Sequence, residues 1–233
     1  MEPSESATTQ PPASQSRQLA RPVLASMAVI FLAVAFALLT EDVLEGETRG
    51  FDLGVRQFVR SCATHPWGPR LLETMRDISG LGSVSVLVVI TTASVGFLML
   101  VRARLTACLV VLSIASATAM VSFMKDLFGR QRPDPALAEH LGLSLSFPSG
   151  HAAMSAVVFF TLGALLASTR ESLPERLYTV ALATLLTGLV GISRIFLGVH
   201  WATDVVAGWV FGSGWALLWL MVTISLRARL RTW

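Results

Sequence analysis

The chain has 233 residues, of which 53% are hydrophobic and 14% are charged, and its mean hydropathy is +0.65. Soluble domains carry roughly 25% charged residues, so this composition excludes an ordinary soluble protein and predicts an integral membrane protein. The formal net charge of +3 is too small to indicate nucleic-acid binding. The only two cysteines are Cys62 and Cys108, and because Cys108 lies in an apolar run, neither a disulfide nor a cysteine metal cluster is expected.

The N-terminal segment differs from the rest of the chain in composition. Residues 1–20 are rich in Ser, Thr, Gln and Pro and contain almost no large apolar side chains. Such a segment cannot bury a core, so it is predicted to be a disordered tail. Residues 21–233 are predicted to form one membrane domain.

Six apolar runs make up this domain. They lie at about 22–40, 81–101, 105–124, 151–169, 177–193 and 201–226. Most have the ~18–20 residues that a helix needs to cross a bilayer, and the fifth is the shortest. The sequence therefore predicts an all-α bundle of six transmembrane helices. The first run could instead be a cleaved signal peptide, but it is longer than a usual signal-peptide apolar region.

A polar turn, Phe147-Pro148-Ser149-Gly150-His151, stands directly before the fourth run. The start of a helix exposes unpaired amide N–H groups and the positive end of the helix dipole, so it can bind an anion. Ser149 is a favourable N-cap residue, and Gly150 allows a bound group to approach the backbone closely. Alone this is a weak signal, because a Ser-Gly turn before a helix is usually only a cap.

Further polar residues stand at the ends of other predicted helices. Lys125 ends the third run and is followed by Arg132-Pro133, Arg194 closes the fifth run, and His200 opens the sixth. In a six-helix bundle, the ends of helices 3 and 5 and the starts of helices 4 and 6 lie on one membrane face. We therefore expect all these side chains to converge with His151.

Two of the charged residues are unusual for this chain. Lys125 is its only lysine, and a compact point charge for a phosphate explains that choice better than snorkelling, which arginine does equally well. Asp204 is the only acid well inside an apolar run, where a carboxylate needs a partner. His200, four residues earlier, lies on the same helical face. An isolated interfacial pair is the alternative interpretation.

The three polar stretches read Lys-x6-Arg-Pro, Pro-Ser-Gly-His and Ser-Arg-x5-His-x3-Asp, in this order, between residues 125 and 204. This pattern resembles the three-part signature of the type 2 phosphatidic acid phosphatase family, which shares its site with vanadium haloperoxidases and glucose-6-phosphatase. Every signature position matches. The resemblance implies that His200 is the nucleophile, His151 the acid and base, and Asp204 the group that orients His200. The phosphate ligands that it implies are Lys125, Arg132, Arg194, Ser149 and Gly150.

The residue types suit this chemistry. A phosphate monoester is a dianion that repels nucleophiles, so lysine and arginine side chains and amide N–H groups would neutralise it. His200 would attack phosphorus through one ring nitrogen while Asp204 holds the other N–H, and His151 would protonate the leaving oxygen and then activate water. No paired carboxylates or Cys/His spacing indicate a metal site, so neither a metal ion nor another cofactor is expected. Arg130 matches no signature position and is given no role.

A site close to the bilayer surface favours a substrate with a lipid tail. Phosphatidic acid, phosphatidylglycerol phosphate, diacylglycerol pyrophosphate and polyprenyl diphosphate all remain open, as do the preference between monophosphate and diphosphate and the oligomeric state. A non-enzymatic lipid-phosphate binder or transporter is the main alternative. It would need the cations but not the His200–Asp204 pair. Vanadate-dependent halide oxidation is disfavoured because members with that activity are soluble.

The short links opposite the motifs are rich in arginine, at 102–104, 170–176 and 227–231. By the density of positive charge in short loops, both termini are predicted to be cytoplasmic and the site to face away from the cytoplasm. The 41–80 segment is predicted to form short amphipathic helices at the interface that only cap the bundle. His65 and His140 are predicted to be surface residues. Gly208 and Gly212 predict close helix packing in the sixth run.

Overall fold

The computed structural model describes residues 12–143 and 145–231. Over these residues the chain forms α-helices and no β-strand. The helices are α1 Pro12–Glu45, α2 Arg49–Thr64, α3 Gly68–Gly80, α4 Val84–Leu100, α5 Arg104–Phe128, α6 Pro135–His140, α7 Gly150–Ser168, α8 Leu173–Phe196 and α9 Ala202–Arg231. The all-α prediction is confirmed.

Within the residues that the structure describes, six segments are long and apolar enough to cross a membrane. Five of them lie in the single helices α1, α5, α7, α8 and α9, and the sixth is the stretch Gly68–Leu100, which contains α3 and α4. The prediction of six transmembrane helices is therefore confirmed, and the chain is a multi-pass membrane protein.

The first helix begins earlier than predicted. α1 starts at Pro12, within the segment 1–20 that the composition predicts to be a disordered tail. The Ala, Gln, Leu and Arg residues of this stretch are good helix formers, and each residue added to an existing helix gains a hydrogen bond without a new nucleation cost. Residues 1–11 lie outside the described residues.

The centre of the bundle is α7, which packs most extensively against α8 and α9. The contact with α9 is close because glycines face α7. A Cβ on Gly208 would lie 2.8 Å from the Ser149 carbonyl oxygen, and one on Gly212 would overlap the Ala153 carbonyl oxygen. The predicted packing role of these two glycines is confirmed, and it sets the distance between the polar starts of α7 and α9.

The 41–80 segment forms two helices, as predicted. α2 buries Asp52 and Val59 and exposes Phe51 and Phe58, while α3 packs against α8. Asp52 accepts a hydrogen bond from the Thr203 amide, and Ser79 accepts one from Arg194, so both helices contact the polar end of the bundle. That they only cap the bundle stays a prediction.

Candidate active site

The cationic side chains of the motifs meet at one end of the bundle. The Leu145 carbonyl oxygen accepts a hydrogen bond from Lys125 Nζ and another, of 3.4 Å, from Arg132 Nη2. The two positive charges therefore lie within reach of one oxygen atom. Lys125 also interacts electrostatically with Arg194 and Asp204. The convergence expected from the helix order is thus present.

His200 is buried and makes one contact through each ring nitrogen. Nδ1 lies 3.3 Å from Asp204 Oδ2, and Nε2 lies 3.1 Å from Arg132 Nη1. A guanidinium group only donates hydrogen bonds, so Nε2 meets it with a lone pair, and the proton is on Nδ1, facing the carboxylate. Burial lowers the pKa of His200 from 6.5 to about 4, against the opposing effect of Asp204. At neutral pH the imidazole is uncharged, with Nε2 as its basic atom.

Asp204 is buried among four donors. Its Oδ2 accepts from His200 and Ser146 Oγ and, at 2.9 Å, from the Trp201 amide. Its Oδ1 lies 2.5 Å from Arg130 Nη1. These bonds satisfy the charge of a carboxylate that would otherwise be costly to bury.

The first turn of α7 carries Ser149, Gly150 and His151. Ser149 occupies the N-cap position, but its side chain makes no cap hydrogen bond, and its amide donates to the Asp204 carbonyl oxygen at 3.0 Å. Ser149 therefore stands at the predicted N-cap position, although its hydroxyl does not cap α7 and its amide already has a partner. A Cβ on Gly150 would lie 3.9 Å from Lys125 Cε, so the backbone passes beside that cation.

Two buried polar atoms at this end make no hydrogen bond within the described part of the chain. They are Ser149 Oγ and Arg194 Nε. The other end of the Arg194 guanidinium donates to Ser79 Oγ at 2.6 Å. Buried polar groups are almost always paired, so two unpaired ones beside Lys125 and Arg132 indicate a place for a polar ligand.

His151 is half-buried on the same turn. It interacts electrostatically with Arg194, His200, Arg132 and Lys125. It also lines an apolar groove of about 310 Å³ between α4, α5 and α7. The other lining residues include Leu87, Val88, Ile114, Val121, Met154 and Val158.

Comparison with known proteins assigns the family. The model of the PAP2 superfamily matches residues 106–229, which is more than half of the chain. The chain belongs to the PAP2 superfamily. The matched region contains all of the signature residues, so the resemblance inferred from the three motifs is confirmed.

Several PAP2 relatives cover most of the chain. Phosphatidylglycerophosphatase B of Bacillus subtilis is 29% identical over 80% of this chain and 88% of its own length. Decaprenylphosphoryl-5-phosphoribose phosphatase of Mycobacterium tuberculosis is 34% identical over 62% of this chain and 76% of its own. The solved structure of a transmembrane PAP2-type phosphatidylglycerolphosphate phosphatase from Bacillus subtilis matches with a TM-score of 0.74 and 26% identity, covering 84% of this chain and 96% of that one.

The PAP2 signature does not include every residue that holds this site together. Ser79, Ser146, Asp52 and Arg130 all hydrogen-bond to signature residues or to one another. No sequence pattern indicates Ser79, Ser146 or Asp52. Arg130 lies between matched positions of the signature, which predict no role for it. Among the described residues, no three His, Cys, Asp or Glu side chains come together as metal ligands do.

Proposed function

We propose that this PAP2 protein is a membrane phosphatase that cleaves the phosphoester of a lipid phosphate or diphosphate through a phosphohistidine at His200. The observation that carries the proposal is the state of His200, which is buried and uncharged, with its Nε2 lone pair beside Arg132 and its Nδ1–H on Asp204. A ring nitrogen in this state is a nucleophile, and the carboxylate stabilises the positive charge that the ring gains on attack. The phosphatase names of its relatives support the same reaction class.

Lys125, Arg132 and Arg194 bind the phosphate in this proposal. A phosphate oxygen replaces the Leu145 carbonyl oxygen between Lys125 and Arg132, which both already donate to that atom. Arg194 Nε and Ser149 Oγ supply donors that make no other hydrogen bond in the described residues. The amides of Gly150 and His151 add to them, because the first turn of a helix provides no carbonyl for its own N–H groups.

The reaction then takes two displacements at phosphorus. In the first, His200 Nε2 attacks, the bond to the ester oxygen breaks, and protonated His151 gives its proton to that oxygen. In the second, His151 takes a proton from water as the water attacks phosphorus, the P–N bond breaks, and phosphate leaves. His151 must carry a proton before the first step.

The apolar groove beside His151 supports a substrate with a hydrocarbon tail. It starts at the residue that protonates the leaving group and continues between α4, α5 and α7. A tail in this groove would place the ester oxygen close to His151. The tail of a lipid would pass from the apolar layer of the bilayer into this groove without entering water, so the groove would align the substrate by packing contacts.

The orientation follows from the distribution of arginine. The links at 102–104 and 170–176 and the segment 227–231 lie opposite the site and carry the positive charge of the short loops. By the positive-inside rule we place both termini in the cytoplasm and the active site on the extracytoplasmic face.

Detergent-purified protein tests the proposal on a panel of phosphatidic acid, phosphatidylglycerol phosphate and polyprenyl diphosphate in mixed micelles with EDTA. We expect phosphate release from at least one lipid, because positive side chains rather than a metal ion neutralise the phosphate. His200→Ala should lower the rate by about 10³-fold or more. His140→Ala is the matched control, since His140 is exposed. Release that survives His200→Ala, or that needs added magnesium, would contradict the mechanism.

A further inference from the structure

Two charged side chains, those of Asp52 and Arg130, form an ion pair next to Asp204. They have no part in the reaction as proposed. Arg130 Nη2 is 2.7 Å from Asp52 Oδ2, and Nη1 is 2.5 Å from Asp204 Oδ1. The side chain of Arg130 is 17% exposed, and those of Asp52 and Asp204 are 1% and 0% exposed. One guanidinium group therefore joins a carboxylate of α2 to the carboxylate that faces the nucleophile.

Asp52 also fixes the start of α9. Its Oδ1 accepts from the Thr203 amide at 3.0 Å, and its Oδ2 accepts from Thr203 Oγ1 at 2.7 Å. The same hydroxyl oxygen accepts from Arg130 Nη1 at 2.8 Å. Asp52 thus caps a helix to which it does not belong, and it holds the residue directly before Asp204.

The two oxygens of Asp204 have separate partners. Oδ1 meets Arg130, and Oδ2 meets His200, Ser146 and the Trp201 amide. Arg130 is thus the donor on Oδ1, and it helps to fix the plane of the carboxylate so that Oδ2 faces His200 Nδ1. Arg130 is itself held by the Trp201 ring, which lies 5.6 Å from the guanidinium carbon.

We propose that Arg130 and Asp52 are positioning residues for phosphoryl transfer: Asp52 orients Arg130, and Arg130 keeps the Asp204 carboxylate turned so that the His200 proton stays on Nδ1. The proposal rests on the function proposed above and extends it to α2. Arg130 acts on the side of Asp204 away from His200 Nε2, so it is not a ligand of the phosphate. Its loss should therefore lower kcat and leave KM unchanged.

A double-mutant cycle with Asp204 tests this role on an aryl phosphate. Arg130→Gln should lower kcat by about 10–100-fold, as is typical when the partner of a functional ligand is lost. In an Asp204→Asn background the same change should have little further effect, because no carboxylate remains to be held. An equal loss of kcat in both backgrounds, or a raised KM with kcat intact, would overturn the proposal.

Two further variants, Asp52→Asn and Arg130→Lys, test the same role even if Arg130→Gln does not fold. Asp52→Asn keeps an acceptor for the Thr203 amide but loses the charge that orients Arg130, so kcat should fall. Arg130→Lys keeps a positive charge but not the fork that spans two carboxylates, so it should restore only part of the rate. Full wild-type kcat in Asp52→Asn, or in Arg130→Lys, would contradict the proposal.

Arg56→Gln is the matched control. Arg56 also lies on α2 and over the Trp201 ring, at 5.7 Å, but it belongs to neither carboxylate bridge. We expect wild-type kcat and KM. A loss of kcat as large as that of Arg130→Gln would assign the effect to packing around Trp201 and overturn the proposal. Wild-type protein without any phosphatase activity would instead refute the proposed function.

Discussion

His200 combines a buried position with an uncharged ring, and both properties have a cost that the fold offsets. Only 4% of the residue is exposed, so protonating it means burying a charge close to Arg132. The pKa of His200 therefore falls to about 4. In the proposed phosphoryl transfer the ring would gain its positive charge only when phosphorus bonds to Nε2, and the phosphate dianion and Asp204 would then both balance it.

This shifted pKa makes the folded protein sensitive to acid. An unfolded histidine binds a proton near pH 6.5, whereas folded His200 binds it near pH 4. Between these values the unfolded state holds more protons, so stability falls as the pH falls. From pH 7 to pH 5, His200 should remove about 2 kcal/mol from the free energy of unfolding.

Thermal unfolding in detergent at pH 7 and pH 5 measures this effect. His200→Gln should lose less stability on acidification than the wild type, while the exposed control His140→Gln should lose as much as the wild type. An identical acid loss in His200→Gln would show that another group is responsible.

Some residues of the site could be predicted from the sequence and others could not. The difference is whether their position relative to the helix ends reveals their partners. Lys125, His151 and Arg194 stand at helix ends, and Arg132 and His200 lie in the links next to helix ends, so helix order alone predicted that they come together. Ser79 and Asp52 reach Arg194 and Thr203 across 115 and 151 positions. A hydroxyl or a carboxylate on an amphipathic helix has no pattern that reveals so distant a partner, and therefore those contacts required the structure.

At the level of elements, the site depends on how closely α9 approaches α7. His151 lies in the first turn of α7 and Asp204 in the first turn of α9, so the spacing of the two helices sets the distance between these side chains. Gly212 faces the Ala153 backbone and the Ala156 side chain. The six apolar runs predicted the helices correctly. Composition does not predict the start of α1 at Pro12, because it indicates whether a segment can bury a core and not whether it can extend an existing helix.

A side chain at Gly212 should separate the two helices. Its Cβ would overlap the Ala153 carbonyl oxygen and lie 2.6 Å from Ala156 Cβ, and overpacking of this kind costs about 1–3 kcal/mol. Gly212→Ala should therefore lower the thermal unfolding midpoint and the activity together. Gly188→Ala is the control, because nothing lies within 4 Å of its Cβ position. Equal midpoints for the two variants would contradict the packing account.

On the scale of the whole molecule, the polar end of the bundle must face one side of the membrane. α6 and the site share one end, and the link between α7 and α8 lies at the other. In the proposed topology, the end that holds α6 and the site faces the extracytoplasmic side. A lipid phosphate could then enter from the outer leaflet, and its hydrocarbon tail would remain in the apolar layer beside α4 and α5.

Cysteine labelling of intact cells tests the topology. In a background with Cys62 and Cys108 replaced by serine, Ala136→Cys should react with an impermeant thiol reagent added outside. Ser172→Cys should react only after permeabilisation. Both positions are exposed, so access to the side chain does not limit either reaction. The reverse pattern would place the active site in the cytoplasm.

Rapid-quench kinetics with nitrophenyl phosphate tests the central claim, that His200 carries the phosphoryl group and His151 moves protons. Nitrophenolate leaves without a proton, so His151→Ala should still phosphorylate His200 and then stall, because the attacking water has lost its base. We predict a burst of about one nitrophenol per enzyme and an acid-labile, base-stable phosphate on the protein. His200→Ala should give neither. A burst from His200→Ala, with none from His151→Ala, would contradict the account.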